Sequence, residues 1–222
     1  MGSTQGDQIE RTKSDQHRIY AEKDMAFQFM PGATAVGISY QNGIVLGAEK
    51  RVSYGNFVVN KNTKKTFSVT NEVGAACAGM IADMQVLVRQ VVALAKIRKL
   101  ETRRNVAPNS IAKLMSVIMF ERRFFPLLTQ VIVGGIGAKA EIYTLDPLGS
   151  VLPDDYAAVG TGAEMALGIL DTEYSHNMSE EKAKDLTIKS IKSSIQRDAS
   201  SGDGIDLLLI TNKGWHEESM AF

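Results

Sequence analysis

The order of segments predicts an α+β fold in which largely antiparallel sheets carry helices on their outer sides. Two observations carry that expectation. Strand-like runs precede two long helical segments, and the same grouping then repeats before strands close the chain. Such grouping is not the βαβα alternation that builds a parallel sheet.

The elements read in order as follows. Val36 to Tyr40 and Ile44 to Glu49 flank Gln41-Asn42-Gly43, and Asn-Gly between two β-rich runs predicts a type I′ hairpin. Further strand-like runs are Asn56 to Val59, Lys65 to Val69 and Glu72 to Cys77. Met80 to about Arg103 repeats Met84, Leu87, Val88, Val91, Val92 and Ala95 at helical spacing. Asn109 to Arg123 does the same with Ile111, Leu114, Met115, Ile118 and Met119, entered through Pro108. Both stripes are wide, so these helices are expected to be covered on more than one side and to bury against partners. Leu127 to Val133 and Glu141 to Leu145 return to strand around Gly134-Gly135-Ile136-Gly137, which reads as a turn. Helices resume at Ala163 to Tyr174 and Ser179 to Gln196. The second has Asn177 and Glu180 spaced as a capping box and Leu186, Ile188, Ile191 and Ile195 on its buried side. Ile205 to Thr211 and Gly214 to Glu218 are the closing strands.

Composition removes several functions. The 222 residues suit one domain, and 25 Lys+Arg against 25 Asp+Glu leave no net field to draw nucleic acid or an anionic membrane. The longest apolar run, Val73 to Ala82, is half of what a membrane span needs. With one cysteine, Cys77, and no secretory-type start, a soluble cytoplasmic protein is expected. His17, His176 and His216 are isolated, so neither metal nor other cofactor is expected. Residues 1–24 are polar, with five acids and four bases. With the apolar patch 25–30 and Pro31-Gly32, they read as a mobile leader, residues 1–32, before a domain at 33–222. Gly160-Thr161-Gly162 opens a helix after a strand but lacks the lysine of a phosphate loop and the third glycine of a dinucleotide turn, so nucleotide binding is set aside.

Five motifs are informative together: Ala33-Thr34-Ala35-Val36-Gly37-Ile38, Ala48-Glu49-Lys50-Arg51, Lys64-Lys65, Ala78-Gly79-Met80-Ile81-Ala82-Asp83, and the run Arg197 to Asp206. In this order and spacing, from Gly32 to about Glu218, the chain resembles the β-type subunits of the archaeal 20S proteasome. The resemblance implies a four-layer αββα sandwich of the N-terminal-nucleophile hydrolase class. It implies seven-membered rings, with two β rings stacked between two α rings. In that family propeptide removal exposes a threonine whose hydroxyl attacks the peptide carbonyl, with its own α-amine as base. Unfolded polypeptides reach the site through the α rings, fed by an ATPase.

Carried over by position, Lys65 matches the family's lysine, Gly79 the oxyanion glycine, Asp198 and Ser201 the pair that holds the terminal amine, and Arg51 the arginine after the acidic residue. Val52, Cys77 and Ile81 fall where the family lines its specificity pocket. Three positions depart: Ala33 stands at the nucleophile position, Glu49 at the lysine-pairing aspartate and Thr161 at a serine. Alanine has no oxygen with which to attack. Thr34 is the alternative nucleophile, but a shift of one residue turns its side chain to the opposite face of the strand, since the β period is two. The expectation is therefore a non-catalytic β subunit that retains its leader and works beside a second, active β subunit. Three readings remain beside it: an active enzyme using Thr34, an engineered Thr→Ala variant, and a bacterial-type two-ring relative.

Overall fold

A computed structural model describes residues 32–222, so the expected leader lies almost wholly outside the described residues. In chain order the elements are β1 (Thr34–Tyr40), β2 (Gly43–Glu49), β3 (Val52–Tyr54), β4 (Phe57–Asn60), β5 (Thr66–Ser68) and β6 (Val73–Gly79). Then come α1 (Ile81–Thr102), α2 (Pro108–Glu121), β7 (Thr129–Ile136), β8 (Ala140–Leu145), β9 (Val151–Asp154) and β10 (Tyr156–Gly160). The last four are α3 (Ala163–Glu173), α4 (Glu180–Ile195), β11 (Ile205–Thr211) and β12 (Gly214–Met220).

Two five-stranded sheets, ordered β10-β1-β2-β11-β12 and β5-β6-β7-β8-β9, are antiparallel throughout. Every residue of β1, β2 and β6 is buried. A strand covered on both faces has no polar side to show, so these read as continuous apolar or small runs instead of alternating ones. Three apolar layers follow. One lies between α1, α2 and the second sheet (Met84, Leu87, Met115, Val131), and one between the two sheets (Leu46, Ile132, Ile142, Leu208). The third lies between the first sheet and α3, α4 (Val36, Leu170, Ile191, Leu207). The stacking is αββα, as the resemblance implies.

The layer between the sheets is graded. At one end it is filled by Ala33, Ala35, Ala48, Ala76 and Ala78, and further along by leucines and isoleucines. The alanine end adjoins Lys65, whose carbonyl accepts from Cys77 N at 2.9 Å.

Several local expectations are corrected. Tyr40 pairs with Gly43, so the β1–β2 turn is Gln41-Asn42, and none of these residues has positive φ. The hairpin is not type I′, which demands positive φ at both central positions. Gly43 is a strand residue where a Cβ would sit 2.5 Å from the Ile210 carbonyl oxygen. Gly134 and Gly135 are likewise inside β7, not in a turn. A Cβ at Gly134 would lie 2.7 Å from Ile44 Cγ2 of the facing sheet, so that glycine lets the sheets approach. The cap of α4 is Ser179, whose Oγ accepts from Lys182 N, while Glu180 takes the Tyr40 hydroxyl at 2.8 Å instead of closing a box with Asn177. Ile188 and Ile195 are only partly buried; Ala183, Thr187, Ser190 and Ser194 share the inner face with Leu186 and Ile191. The short strands β3 and β9 have no counterpart among the expected elements, and β9 carries Pro153, as an edge strand permits.

Candidate functional site

The site residues converge where β1 begins. Ala33 directly precedes that strand and is fully buried. Its carbonyl packs against Gly160, which has φ +97 and would place a Cβ 2.0 Å from that oxygen. Glycine is therefore required there by both conformation and space. The strand's period of two then sorts the side chains. Ala33 and Ala35 belong to the layer between the sheets, while Val36 belongs to the layer under α3 and α4. Thr34 falls on the Val36 side, where its Oγ1 lies 2.8 Å from Ser201 Oγ. A Cβ at Gly162 would come within 2.1 Å of the same Oγ1, so the Thr34 hydroxyl is roofed by backbone.

Glu49, at the end of β2, forms a direct ion pair with Lys65, just before β5, and both side chains are essentially inaccessible. Lys65 Nζ also donates to the Arg51 carbonyl at 2.5 Å. The second Glu49 oxygen accepts from Arg51 N at 2.7 Å and Gly202 N at 3.0 Å, and the first accepts from Thr34 N at 3.3 Å. One carboxylate thus ties β1, β2, the approach to β5 and the loop before β11 together. Burial pushes the Glu49 carboxyl up from its ordinary value and the Lys65 ammonium down, and the attraction between the two opposes both shifts. The extra donors are what a buried charge pair needs to persist.

A second cluster sits in the loop after α4. Asp198 Oδ2 accepts from Ser201 Oγ at 2.7 Å and Thr161 Oγ1 at 2.5 Å, and Oδ1 accepts from Ser200 N at 3.0 Å. A serine hydroxyl has one proton. With Ser201's given to Asp198, the contact between the two hydroxyls is donated by Thr34. Arg51 braces this loop through Asp203 Oδ2 at 2.7 Å and the Ala199 carbonyl at 3.0 Å. Its guanidinium holds the Asp203 carboxyl below the usual range.

Ala33, Thr34, Glu49, Lys65, Thr161, Asp198 and Ser201 are thereby one connected set. Gly79 joins it less directly. It ends β6 with φ +119, and a Cβ there would strike the Leu128 carbonyl oxygen at 2.3 Å. Its neighbour Ala78 lies against Gly160. Cys77 faces the layer under α1 and α2, where burial pushes the thiol up, and Val52 is buried while Ile81 is partly so. Sequence reading missed Gln130, whose Oε1 takes Gly160 N at 2.8 Å, and Ser194, whose Oγ donates to the Gly162 carbonyl at 2.7 Å. A glutamine in a strand and a serine in a helix carry no local sign that they hold a distant turn.

The described residues hold no group of three or more His, Cys, Asp and Glu able to share a metal, and no helix long and apolar enough to cross a membrane. The profile of a family described as "Proteasome subunit" matches residues 30–210. The chain belongs to the proteasome subunit family. Within it the similar proteins are β-type subunits of archaea. Over 192 residues it is 61% identical to "Proteasome subunit beta 1" of Cenarchaeum symbiosum (strain A), covering 86% of this chain and 100% of that one. Identity is 60% over 189 residues to "Proteasome subunit beta 1" of Nitrosopumilus maritimus (strain SCM1), covering 85% and 96%. It is 47% over 190 residues to "Proteasome subunit beta 2" of Pyrobaculum arsenaticum (strain DSM 13514 / JCM 11321 / PZ6), covering 85% and 94%. The proteasome β subunit is a part of the core particle, so this chain assembles with other proteasome subunits.

Proposed function

We propose that this β subunit builds the ring and braces neighbouring active sites without cutting peptides itself. One observation carries the reading: Ala33, the residue directly before β1, ends in a methyl group where the family's nucleophile carries a hydroxyl. The nearest hydroxyl, Thr34, is turned to the other face of the strand, donates to Ser201 and is enclosed by Gly162, so no scissile carbonyl can approach it. Around this vacancy of function the scaffold is intact. Lys65 and Glu49 hold a buried charge pair, Asp198 gathers Ser201 and Thr161, and Gly79 keeps its positive-φ backbone.

In this proposal those groups serve stability and chamber shape. The leader stays attached, since no terminal amine is needed beside Lys65. Protomers of this kind alternate or mix, within seven-membered rings flanked by α rings, with a second β subunit that supplies the threonine. Unfolded polypeptides enter from an ATPase through the α rings, in the cytoplasm.

The test reconstitutes particles from this chain, α subunits and an active β subunit, with and without an alanine at the active subunit's own nucleophile, and follows fluorogenic-peptide cleavage. The expected result is background hydrolysis once the partner's nucleophile is gone. Residual hydrolysis that disappears on adding Thr34→Ala overturns the proposal.

A further inference from the structure

Away from this site, the layer between the sheets opens at its other end. β1 runs from Thr34 at the candidate site to Tyr40, about 20 Å away at the rise of an extended strand. There the β1–β2, β7–β8 and β11–β12 turns border a cleft of about 720 Å³. Its apolar wall is Ile136, Ala140 and Trp215. Ile136 and Ala140 pack on the core between the sheets. Trp215 is paired with Ile210 of that core, and directly paired residues share a face, so the indole stands on the same side. It is the chain's only tryptophan and is 42% exposed. Among the described residues no aromatic ring stacks on it and no cation lies over it.

The polar wall is also short of partners. Among the described residues Lys139 and Lys213 meet no carboxylate, while Lys64, Lys184 and Lys189 elsewhere on the surface do. Glu180 is the one acid on the wall, and it is occupied by the Tyr40 hydroxyl at 2.8 Å. His216 stands 3.6 Å from Glu218. The side-chain amides of Gln41, Asn42 and Asn212 border the same cleft.

An uncovered indole asks for a second flat ring, since stacking on an aromatic side chain contributes about 1–3 kcal/mol per base. Amides present a donor beside an acceptor, which is what the edge of a heteroaromatic base requires. Two ammonium groups without counter-ions ask for negative charge, and phosphate oxygens meet it with charge-assisted hydrogen bonds. A plain aromatic carboxylate would leave the amides unused, and inorganic phosphate would leave the ring uncovered. We infer that this cleft binds a purine nucleoside diphosphate, with the base on Trp215, the base edge against the amides and the diphosphate on Lys139 and Lys213. Lysine side chains from two turns take the part that a phosphate loop plays elsewhere. The cleft's volume lies within the ordinary range for small-ligand sites. This inference is independent of whether the chain has a nucleophile.

The test titrates the full-length chain with adenosine diphosphate and follows the fluorescence of its single tryptophan, excited at the red edge of the indole band, with calorimetry in parallel. Saturable quenching is expected, with matching heat. Affinity should fall at least about tenfold in a Lys139→Ala/Lys213→Ala variant and, by calorimetry, in Trp215→Leu, while Lys113→Ala on the exposed side of α2 leaves it unchanged. Adenosine and inorganic phosphate, each alone, should bind at least about tenfold more weakly. Absence of saturable binding, equal binding by either cleft variant, or equal binding of phosphate alone overturns the inference. An oligoadenylate that binds more tightly than the diphosphate also overturns it, by giving the cleft to a nucleic-acid strand.

Discussion

Thr34 donates its hydroxyl proton to Ser201 across 2.8 Å, because the Ser201 proton is already committed to Asp198. The relationship joins the first strand to the loop before β11 and fixes the direction in which residue 34 points. Removing the acceptor by Ser201→Ala leaves the Thr34 hydroxyl fully buried without a partner. The expected loss of stability is about 1–3 kcal/mol in urea unfolding, and Thr34→Val in the same background recovers part of it. Were both hydroxyls hydrated instead, Ser201→Ala would cost almost nothing.

Lys65→Met strands Glu49 as a lone carboxylate in a place with no access to water. Breaking a buried pair from one side costs about 3–5 kcal/mol. Replacing both partners, as Glu49→Leu/Lys65→Met, should be milder than either single change, although the backbone N–H groups of Arg51 and Gly202 then lose their acceptor. Urea midpoints of the three variants measure the coupling directly.

Gly134→Ala inserts a methyl 2.7 Å from Ile44 Cγ2 and 3.1 Å from Leu46 Cδ2, in the gap between the sheets. Overpacking of this kind costs about 1–3 kcal/mol. A residue that served only a turn would tolerate alanine, so the thermal midpoint of this variant distinguishes the two roles.

Asp203 titrates below its ordinary value because Arg51 hydrogen-bonds its charged form. A depressed folded-state value means that the stabilisation is present above the unfolded carboxyl value of about 4 and is lost as pH falls through the folded one. Asp203→Asn removes that dependence while keeping a side chain tolerant of φ +65. Stability measured from pH 6 down to acid should fall less steeply in the variant. Parallel slopes would detach Asp203 from the acid response.

What the sequence made legible was what local period and order determine. The grouping of strands and helices, the extents of α1, α2 and β11, and the opposite facing of residues 33 and 34 all follow from spacings within a few residues. The errors came where a distant contact decides a local form. Gly134 and Gly135 look like a turn because glycine usually marks one, yet the facing sheet is what excludes a side chain there. Asn177 and Glu180 have the spacing of a capping box, but Tyr40, 140 residues away in sequence, takes the glutamate. Glu49 and Lys65 could be paired only through resemblance; neither neighbourhood signals that the other end of the ion pair exists. Gln130 and Ser194, which hold the glycine turn at 160–162, gave no sign at all.

The most direct measurement is the intact mass of each subunit after the assembled particle has been saturated with an epoxyketone or β-lactone that acylates or alkylates active threonines. The account predicts that the active β partner gains the adduct while this chain keeps its unmodified mass. An adduct on this chain, mapped by peptide fragmentation to Thr34, would contradict it.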